Sequence, residues 1–345
     1  METACLHWQE NEGPGGAIQT AAALLRDGGL VAFPTETVYG LGANALDAAA
    51  CRRIFAAKGR PADNPLIVHI ADMAQAETVC AAWPPEARLL AAKFWPGPLT
   101  LVLPRRRAVP PEVTGGLDTV GVRMPAHPLA LALIRAAALP LAAPSANLSG
   151  KPSPTAAAHV WQDLRGRVPL ILDGGPCPIG LESTVLDLTA DGPVILRPGA
   201  VTAEDLAAAL GRTVRTAGES AAGAGPKAPG MKYRHYAPEG RVVPLDPADP
   251  GRQIAERLRG VRPGERVALL ASDETLAGLD AALRARIPVI YSLGSARLPA
   301  QGAARLFAGL RLADEQRAGL ILVQAAEEIG LGAAFMNRLR KAALE

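Results

Sequence analysis

The chain has 345 residues, of which 49% are hydrophobic and 20% charged, and its formal net charge is +3. These values lie in the globular range and exclude a disordered or fibrous chain. A charge this small argues against a protein whose main ligand is nucleic acid, because such proteins carry a strongly basic surface. Since domains usually hold roughly 100–200 residues, we expect two of them.

The first two hundred residues are predicted to alternate helices with short apolar strands. The predicted helices cover residues 16–26, 47–59, 85–94, 129–138 and 155–165. The predicted strands cover residues 30–33, 66–70, 99–103, 120–122, 139–143, 170–172, 184–188 and 194–196. No helix separates the last two strands, which indicates antiparallel neighbours and therefore a mixed sheet.

A change of composition follows this region. Residues 212–240 are rich in Gly, Ala, Pro and Lys, which is typical of a linker. Beyond it, predicted strands at 242–245, 266–270, 289–291 and 320–323 alternate with helices at 253–259, 300–310 and 335–341. The sequence therefore predicts a larger first domain over 1–211, a linker over 212–240, and a smaller three-layer α/β domain over 241–345.

The cysteines and the N-terminus indicate a cytoplasmic protein. Cys5, Cys51, Cys80 and Cys177 are scattered and form no CxxC pair, so we expect them to be reduced. The first residues lack the basic start and apolar core of a secretory signal. The most apolar stretch, residues 129–144, is interrupted by Arg135 and Pro140 and is shorter than the ~20 residues that a membrane span needs.

Familiar nucleotide and hydrolase motifs are weak or missing. Residues 40–45 fit the loose dinucleotide pattern GxGxxA, but six residues separate them from the preceding strand, so ordinary turn glycines are favoured over a nicotinamide site. The sequence has no GxxxxGK[ST] loop, no GxSxG elbow and no HExxH pair. Polar residues at strand ends remain, where α/β sheets bind ligands.

These strand ends suggest a small anionic substrate and phosphate groups. Lys58 and Arg60 stand before a strand in a loop fixed by prolines, so we favour a phosphate cradle over simple pairing with a helix C-terminus. Arg123 ends an apolar strand and needs an anionic partner, for which a substrate carboxylate is suitable. His69 lies inside an apolar strand, where a satisfied core histidine is the commoner outcome. Thr155 is expected to cap a helix.

Seven segments in this order resemble the two-domain form of the YrdC/Sua5 family of threonylcarbamoyl-adenylate synthases. They are residues 34–42 (PTETVYGLG), 58–61 (KGRP) with 64–66 (NPL), 95–100 (WPGPLT), 120–125 (VGVRMP), 144–147 (PSAN), 182–185 (ESTV) and 229–238 (PGMKYRHYAP). The resemblance covers essentially the whole chain. It implies a twisted mixed-sheet domain with an open concave site, followed by a smaller Rossmann-like domain.

The resemblance also implies an activity. L-Threonine, bicarbonate and ATP would give L-threonylcarbamoyl-AMP, diphosphate and water, which makes the protein a nucleotidyltransferase. Magnesium would be carried with ATP, and no protein metal ligand is assigned. The product would pass to the tRNA threonylcarbamoyl transferase machinery for t6A formation at adenosine 37 of ANN-decoding tRNAs, with at most weak tRNA contact by this chain and no membrane contact.

The site residues follow from the same resemblance. The threonine set is Thr35, His69, Arg123, Ala143 and Ser183. The ATP set is Lys58, Arg60, Asn64, Thr119, Ser145, Asn147, Ser153, Arg197 and Tyr236, with Tyr236 as a lid beside His235. No catalytic base is assigned, and Glu36 and Glu182 are unranked candidates.

Two other functions stay open at this point. In the first, Lys58, Arg60, Arg123 and Arg197 form a basic concave surface for tRNA. The second is a carbamoyl-phosphate-handling maturation enzyme with a related domain, which is disfavoured because its zinc-finger cysteines and acylphosphatase segment are missing.

Overall fold

The structure is a computed structural model that describes residues 1–8, 16–217 and 236–344. The described residues within 1–149, 154–178 and 182–233 form one compact unit, and those within 150–153, 179–181 and 234–345 form a second. The mixed α/β class predicted from the sequence is confirmed. Most of the predicted linker lies outside the described residues, and the predicted domain boundaries stay predictions.

The first unit contains eleven strands and eight helices among its described residues. The strands are β1 (Ala4–His7), β2 (Val31–Phe33), β3 (Gly40–Asn44), β4 (Ile67–His69), β5 (Leu99–Pro104), β6 (Thr119–Arg123), β7 (Leu141–Ala142), β8 (Leu170–Asp173), β9 (Thr184–Asp187), β10 (Val194–Arg197) and β11 (Arg215–Thr216). The helices are α1 (Ala17–Arg26), α2 (Ala48–Lys58), α3 (Met73–Val79), α4 (Pro85–Phe94), α5 (Pro111–Thr114), α6 (Pro128–Ala137), α7 (Ala157–Leu164) and α8 (Ala203–Leu210).

These strands form one mixed sheet in the order β1-β8-β2-β3-β7-β4-β6-β5-β9-β10-β11. β4 and β6 run parallel and pair His69 with Arg123. The antiparallel pairing of β9 with β10 confirms the neighbours expected from the missing helix. Strands from distant parts of the chain therefore lie side by side at the centre of the sheet.

Alternation along β2 shows how the sheet separates two cores. Val31 and Phe33 belong to a buried cluster that contains α1 and α6, whereas Ala32 belongs to a second cluster with α2 and α4. Successive strand residues point to opposite faces, so both faces of this strand are covered by helices. Few aromatic side chains take part, and Ala, Leu and Val fill most of the core.

Helix α2 ends close to the site, and its sequence explains both of its ends. Asp47 accepts hydrogen bonds from the backbone N–H groups of Ala49 and Ala50, so its side chain caps the helix. Gly59 stops the helix with a left-handed φ of 62°. Lys58 is consequently fixed on the last turn and is buried.

Two local expectations were wrong. Residues 40–44 form strand β3 rather than a turn, because their backbone pairs with β2 on one side and β7 on the other. Helix α7 begins after Ala156 and has no side-chain cap, so Thr155 is not its N-cap. The Thr155 N–H instead donates to Nδ1 of His159.

The second unit has a four-stranded parallel sheet. Its strands are β12 (Arg241–Leu245), β13 (Val267–Ala271), β14 (Val289–Ser292) and β15 (Leu320–Gln324), in the order β12-β15-β13-β14. Its helices are α9 (Pro250–Arg259), α10 (Asp273–Ala277), α11 (Ala281–Arg284), α12 (Pro299–Glu315) and α13 (Leu331–Ala343). The Rossmann-like character that the resemblance implied agrees with this all-parallel arrangement.

Gly42 provides a test of the packing in the first unit. A Cβ atom at Gly42 would lie 2.7 Å from Cε1 of the buried Phe33 ring, whereas one at Gly40 would lie 3.4 Å from its nearest neighbour, Cβ of Ala143. We expect Gly42→Ala to lower the free energy of unfolding by about 1–3 kcal/mol, the usual cost of overpacking. Gly40→Ala, in the same strand, is the matched control and should cost less.

Urea unfolding followed by tryptophan fluorescence measures this difference. All four tryptophans, Trp8, Trp83, Trp95 and Trp161, lie in the first unit, so their signal reports that unit alone. Equal midpoints for the two variants would contradict the packing described for Gly42.

Candidate active site

Arg123 is a buried and tightly held charged residue of the first unit's candidate site. It is the last residue of β6, and only 3% of it is exposed. Its NH1 donates to Oγ1 of Thr37 (2.9 Å), its Nε donates to the carbonyl of Gly97 (3.1 Å), and its NH2 lies 2.5 Å from Oε1 of Glu36. The guanidinium is therefore held from three directions.

Glu36 supplies the negative charge that a buried arginine needs. It is 7% exposed, and its carboxylate forms an ion pair with Arg123. Besides this ion pair, neither Glu36 oxygen accepts a hydrogen bond from the part of the chain that the structure describes. A buried carboxylate with unused acceptor positions is costly unless a ligand supplies donors.

Hydroxyl groups extend the contacts of Arg123 into the 34–42 segment. Thr37 accepts from Arg123, and its Oγ1 lies 2.8 Å from Oγ1 of Thr35. The Thr35 hydroxyl donates to the carbonyl of Val38 at 2.7 Å. Because each hydroxyl has one proton, the consistent direction runs from Arg123 through Thr37 and Thr35 to Val38.

His69 and Ala143 meet at one carbonyl group. The Ile67 oxygen accepts from the Ala143 N–H at 2.9 Å and lies 3.2 Å from Nδ1 of His69. Since a carbonyl only accepts, Nδ1 must carry the proton, which leaves Nε2 as an acceptor. Burial, aided by the charge of Arg123, lowers the pKa of His69 to about 3, so the ring is neutral at physiological pH.

Ser183 is connected to this group through the segment that contains Gly97 and Pro98. The Ser183 Oγ lies 2.8 Å from Oγ1 of Thr100, and Arg197 donates to both the hydroxyl and the carbonyl of Ser183 at 3.1 Å. Thr184 donates to the carbonyl of Pro98, next to the Gly97 carbonyl that binds Arg123. Thr35, His69, Arg123 and Ala143 of the predicted threonine set are therefore linked by strand pairing or hydrogen bonds, directly or through Thr37 and Ile67. Ser183 is connected to them along the chain, through the neighbouring Thr184, Pro98 and Gly97.

Lys58, Ser145 and Asn147 from the predicted ATP set form a second cluster. Nζ of Lys58 donates to the carbonyls of Ser145 and Asn147, each at 2.5 Å. The Ser145 hydroxyl donates to Oδ1 of Asn147 at 2.5 Å, and Ser145 also pairs with Gly40 of β3. The lysine thus shapes the 145–147 loop as well as carrying a charge.

Arg60 and Asn64 shape the neighbouring loop. Arg60 donates to the carbonyls of Asn64 (3.2 Å) and Pro65 (3.0 Å). The Asn64 side-chain oxygen is buried and accepts no hydrogen bond from the described residues. Thr119 begins β6 and lines a narrow recess together with Thr100, the hydroxyl partner of Ser183.

Two members of the predicted ATP set belong to the second unit. Ser153 is 1% exposed. Tyr236 has a positive φ of 64°, and its ring packs on Phe307 with 5.1 Å between the two ring centroids. The Arg338 guanidinium lies over the Tyr236 ring, 5.7 Å from the centroid of that ring. Their role beside the nucleotide stays a prediction, and His235 lies outside the described residues.

Burial argues against the RNA-binding alternative. Lys58, Arg60, Arg123 and Arg197 are between 2% and 9% exposed. An RNA-binding surface needs cations that can reach backbone phosphates from solvent. These four side chains face inward and suit a small ligand better.

Sequence reasoning missed Glu36 as the partner of Arg123, and it missed Thr37, Thr100 and Gly97 altogether. The density of hydroxyls in residues 34–42 was the available signal for Thr37.

Within the described ranges, no group of three or more His, Cys, Asp or Glu residues is placed to hold a metal ion. The four cysteines are free thiols. No helix in the same part of the chain is long and apolar enough to cross a membrane.

The lowered pKa of His69 predicts a pH effect on stability. Between about pH 3 and the ordinary value of about 6.5, the unfolded state binds a proton at this histidine that the folded state does not, so stability falls as pH falls. Between pH 7.5 and pH 5.5 this contribution is about 1.4 kcal/mol. His69→Gln should lose less stability than the parent protein by about this amount in urea unfolding. Equal losses in the two proteins would contradict the neutral, buried ring.

The sequence matches two family models. The Sua5–YciO–YrdC model, described as Telomere recombination, matches residues 23–199. The model described as Threonylcarbamoyl-AMP synthase, C-terminal domain, matches residues 201–344. Together they span both units.

Curated proteins and solved structures agree with these matches. The threonylcarbamoyl-AMP synthase of Pyrococcus abyssi is 50% identical over 338 residues, which covers 94% of this chain and 93% of the relative. That of Bacillus subtilis is 50% identical over 329 residues, which covers 94% and 92%. The crystal structure of P. abyssi Sua5 complexed with L-threonine is similar with a TM-score of 0.88 at 47% identity, and covers 99% of this chain and 98% of that one.

Proposed function

This chain belongs to the Sua5–YciO–YrdC family, and we propose that it is a threonylcarbamoyl-AMP synthase that converts L-threonine, bicarbonate and ATP into L-threonylcarbamoyl-AMP, diphosphate and water. The observation that carries the proposal is the buried Arg123 with the predicted threonine residues gathered around it. The similarity to curated synthases over nearly the whole chain supports the same conclusion.

The Arg123–Glu36 pair is complementary to a zwitterion. A guanidinium beside a carboxylate can receive the carboxylate and the ammonium of one amino acid. Thr35, Ser183 and the neutral His69 add hydroxyl and imidazole groups nearby, and Ala143 provides a small apolar wall. We assign L-threonine to this cluster, with its carboxylate on Arg123 and its nitrogen toward Glu36.

Glu36 also ranks ahead of Glu182 as the group that accepts a proton. The threonine ammonium must lose protons before its nitrogen can bond to the carbon of bicarbonate or carbon dioxide. Glu36 has acceptor positions that no described residue uses, and it lies against the guanidinium that would hold the substrate. Its carboxylate would accept a proton as the carbamate forms.

The nucleotide would be bound by the remaining predicted residues. Lys58, Arg60 and Arg197 supply cations for the phosphates of MgATP, and the metal ion is carried by the substrate. The other members of this set in the first unit are Asn64, Thr119, Ser145 and Asn147. A carbamate oxygen would attack the α-phosphate in line while diphosphate leaves, so positioning and charge neutralisation supply most of the catalysis.

This reaction makes the protein a nucleotidyltransferase with a place in tRNA modification. The adenylate would be consumed by the tRNA threonylcarbamoyl transferase machinery that forms t6A at adenosine 37 of ANN-decoding tRNAs. The cytoplasm is the compartment that suits this reaction and the free thiols.

Diphosphate release from MgATP tests the proposal. We expect release only when both L-threonine and bicarbonate are present, because the nucleophile forms from the two together. L-Serine should support release about tenfold less efficiently, since it lacks one methyl group of threonine. Release that is independent of the amino acid, or no release from folded protein, would contradict the proposed function.

A further inference from the structure

At the carboxyl edge of the second unit's sheet, the chain leaves the two neighbouring strands β13 and β15 in opposite directions. After β13 the chain continues through α10 and α11 to β14, its neighbour on one side. After β15 the chain enters α13, which packs against β12 on the other side. In open α/β sheets, such a divergence leaves a crevice beyond the strand ends, and ligands commonly bind there.

A cavity of about 490 Å³ occupies this position. It is lined by residues that follow each of the four strands: Pro247 after β12, Ser272 after β13, Gly294 after β14 and Ala325 after β15. Its volume lies within the range of about 300–1,000 Å³ for small-molecule sites. The cavity therefore has both the location and the size of a ligand site.

Gln324, at the end of β15, lines this cavity with its side-chain amide. The residue is 8% exposed. Its Oε1 accepts from the Ser272 N–H at 2.8 Å, which fixes the orientation of the amide. Its Nε2 donates to none of the residues that the structure describes. This N–H group is therefore available to an acceptor on a ligand.

Two helices also begin at the cavity. α12 begins at Pro299 and α13 at Leu331, and neither N-terminus has a side-chain cap or an acidic residue in its first turn. Pro299 and Gly302 of α12 and Gly332 of α13 line the cavity. The N–H groups of Gln301, Gly332 and Ala333 already donate to backbone carbonyls in these first turns. The positive ends of the two helix dipoles still favour an anion here.

The remaining wall is apolar with a carboxylate nearby. Leu298 and Ile329 line the cavity although they are 52% and 72% exposed, and the buried Phe335 and Leu293 line it as well. The exposed Glu327 can accept from ligand hydroxyls. Glu274 is already engaged, because it accepts from the Ser295 hydroxyl and the Ala296 N–H.

We propose that the second unit binds a mononucleotide in this cavity. The phosphate would lie between the N-termini of α12 and α13 within reach of Gln324, with the ribose toward Glu327 and the base against Leu298 and Ile329. This site belongs to the second unit alone and does not depend on the function proposed for the first.

Methyl NMR of the full chain locates binding residue by residue, and adenosine 5′-monophosphate is the probe. We expect saturable shifts of the Leu293, Leu298 and Ile329 methyls, which are distinct from shifts in the first unit. Gln324→Glu keeps an acceptor for Ser272 but replaces the donor with a negative charge. It should weaken this binding at least about tenfold through loss of a hydrogen bond to a charged group.

A cavity-filling variant and its matched control complete the test. A Cβ atom at Gly302 would lie no closer than 3.8 Å to its nearest neighbour, so Gly302→Leu is tolerated by the backbone and should abolish the shifts. Gly251→Leu, in open space on α9, should retain them. Three results would overturn the proposal: no shift of these methyls, shifts unaffected by Gly302→Leu and Gln324→Glu, or equal affinity for adenosine or inorganic phosphate alone.

Discussion

Burial of the Arg123 guanidinium is the constraint on which the candidate site depends. A charge that is 3% exposed must be neutralised and given acceptors, and the protein uses Glu36, Thr37 and Gly97 for this purpose. Each of the three has a different role. Glu36 supplies the negative charge, Thr37 accepts from Arg123 and donates to Thr35, and Gly97 connects the arginine to the segment beside Ser183. The position of one side chain thereby ties together two segments, the one that contains Glu36 and Thr37 and the one that contains Gly97. A zwitterionic substrate fits this arrangement because the pair offers both signs of charge at hydrogen-bonding distance.

The other cations have a comparable double role. Lys58 donates to two carbonyls of the 145–147 loop, and Arg197 donates to both groups of Ser183. Such contacts hold the side chains in place before a ligand binds, which lowers the entropy cost of gathering several cations around one triphosphate. They also explain why removal of a cation would disturb a loop as well as a charge, so kinetic effects of such variants need a check on folding.

Much of the fold was predictable because local signals agreed. The Asp47 cap and Gly59 stop define α2, and consecutive strands without a helix identified the β9–β10 pair. β3 was not predictable, since Gly40 and Gly42 are poor strand formers and only pairing with β2 and β7, with the Phe33 ring packed where a Cβ at Gly42 would lie, makes them a strand. The site residues were predicted from the motif resemblance. The buried partner of Arg123 could not be predicted, because Glu36 and Arg123 become adjacent only once β4, β6 and the 34–42 segment are assembled. The cavity of the second unit was likewise invisible in the sequence, since its wall comes from all four strand ends.

Calorimetric titration of L-threonine tests the role of Arg123 most directly. The parent protein is compared with Arg123→Lys, which keeps the charge but loses the planar fork, and with Arg88→Lys, an exposed arginine of α4, as the control. We predict a dissociation constant at least about tenfold higher for Arg123→Lys, equivalent to about 1.4 kcal/mol, and no change for the control. Unchanged threonine affinity in folded Arg123→Lys would contradict the assignment of Arg123 as the centre of substrate recognition.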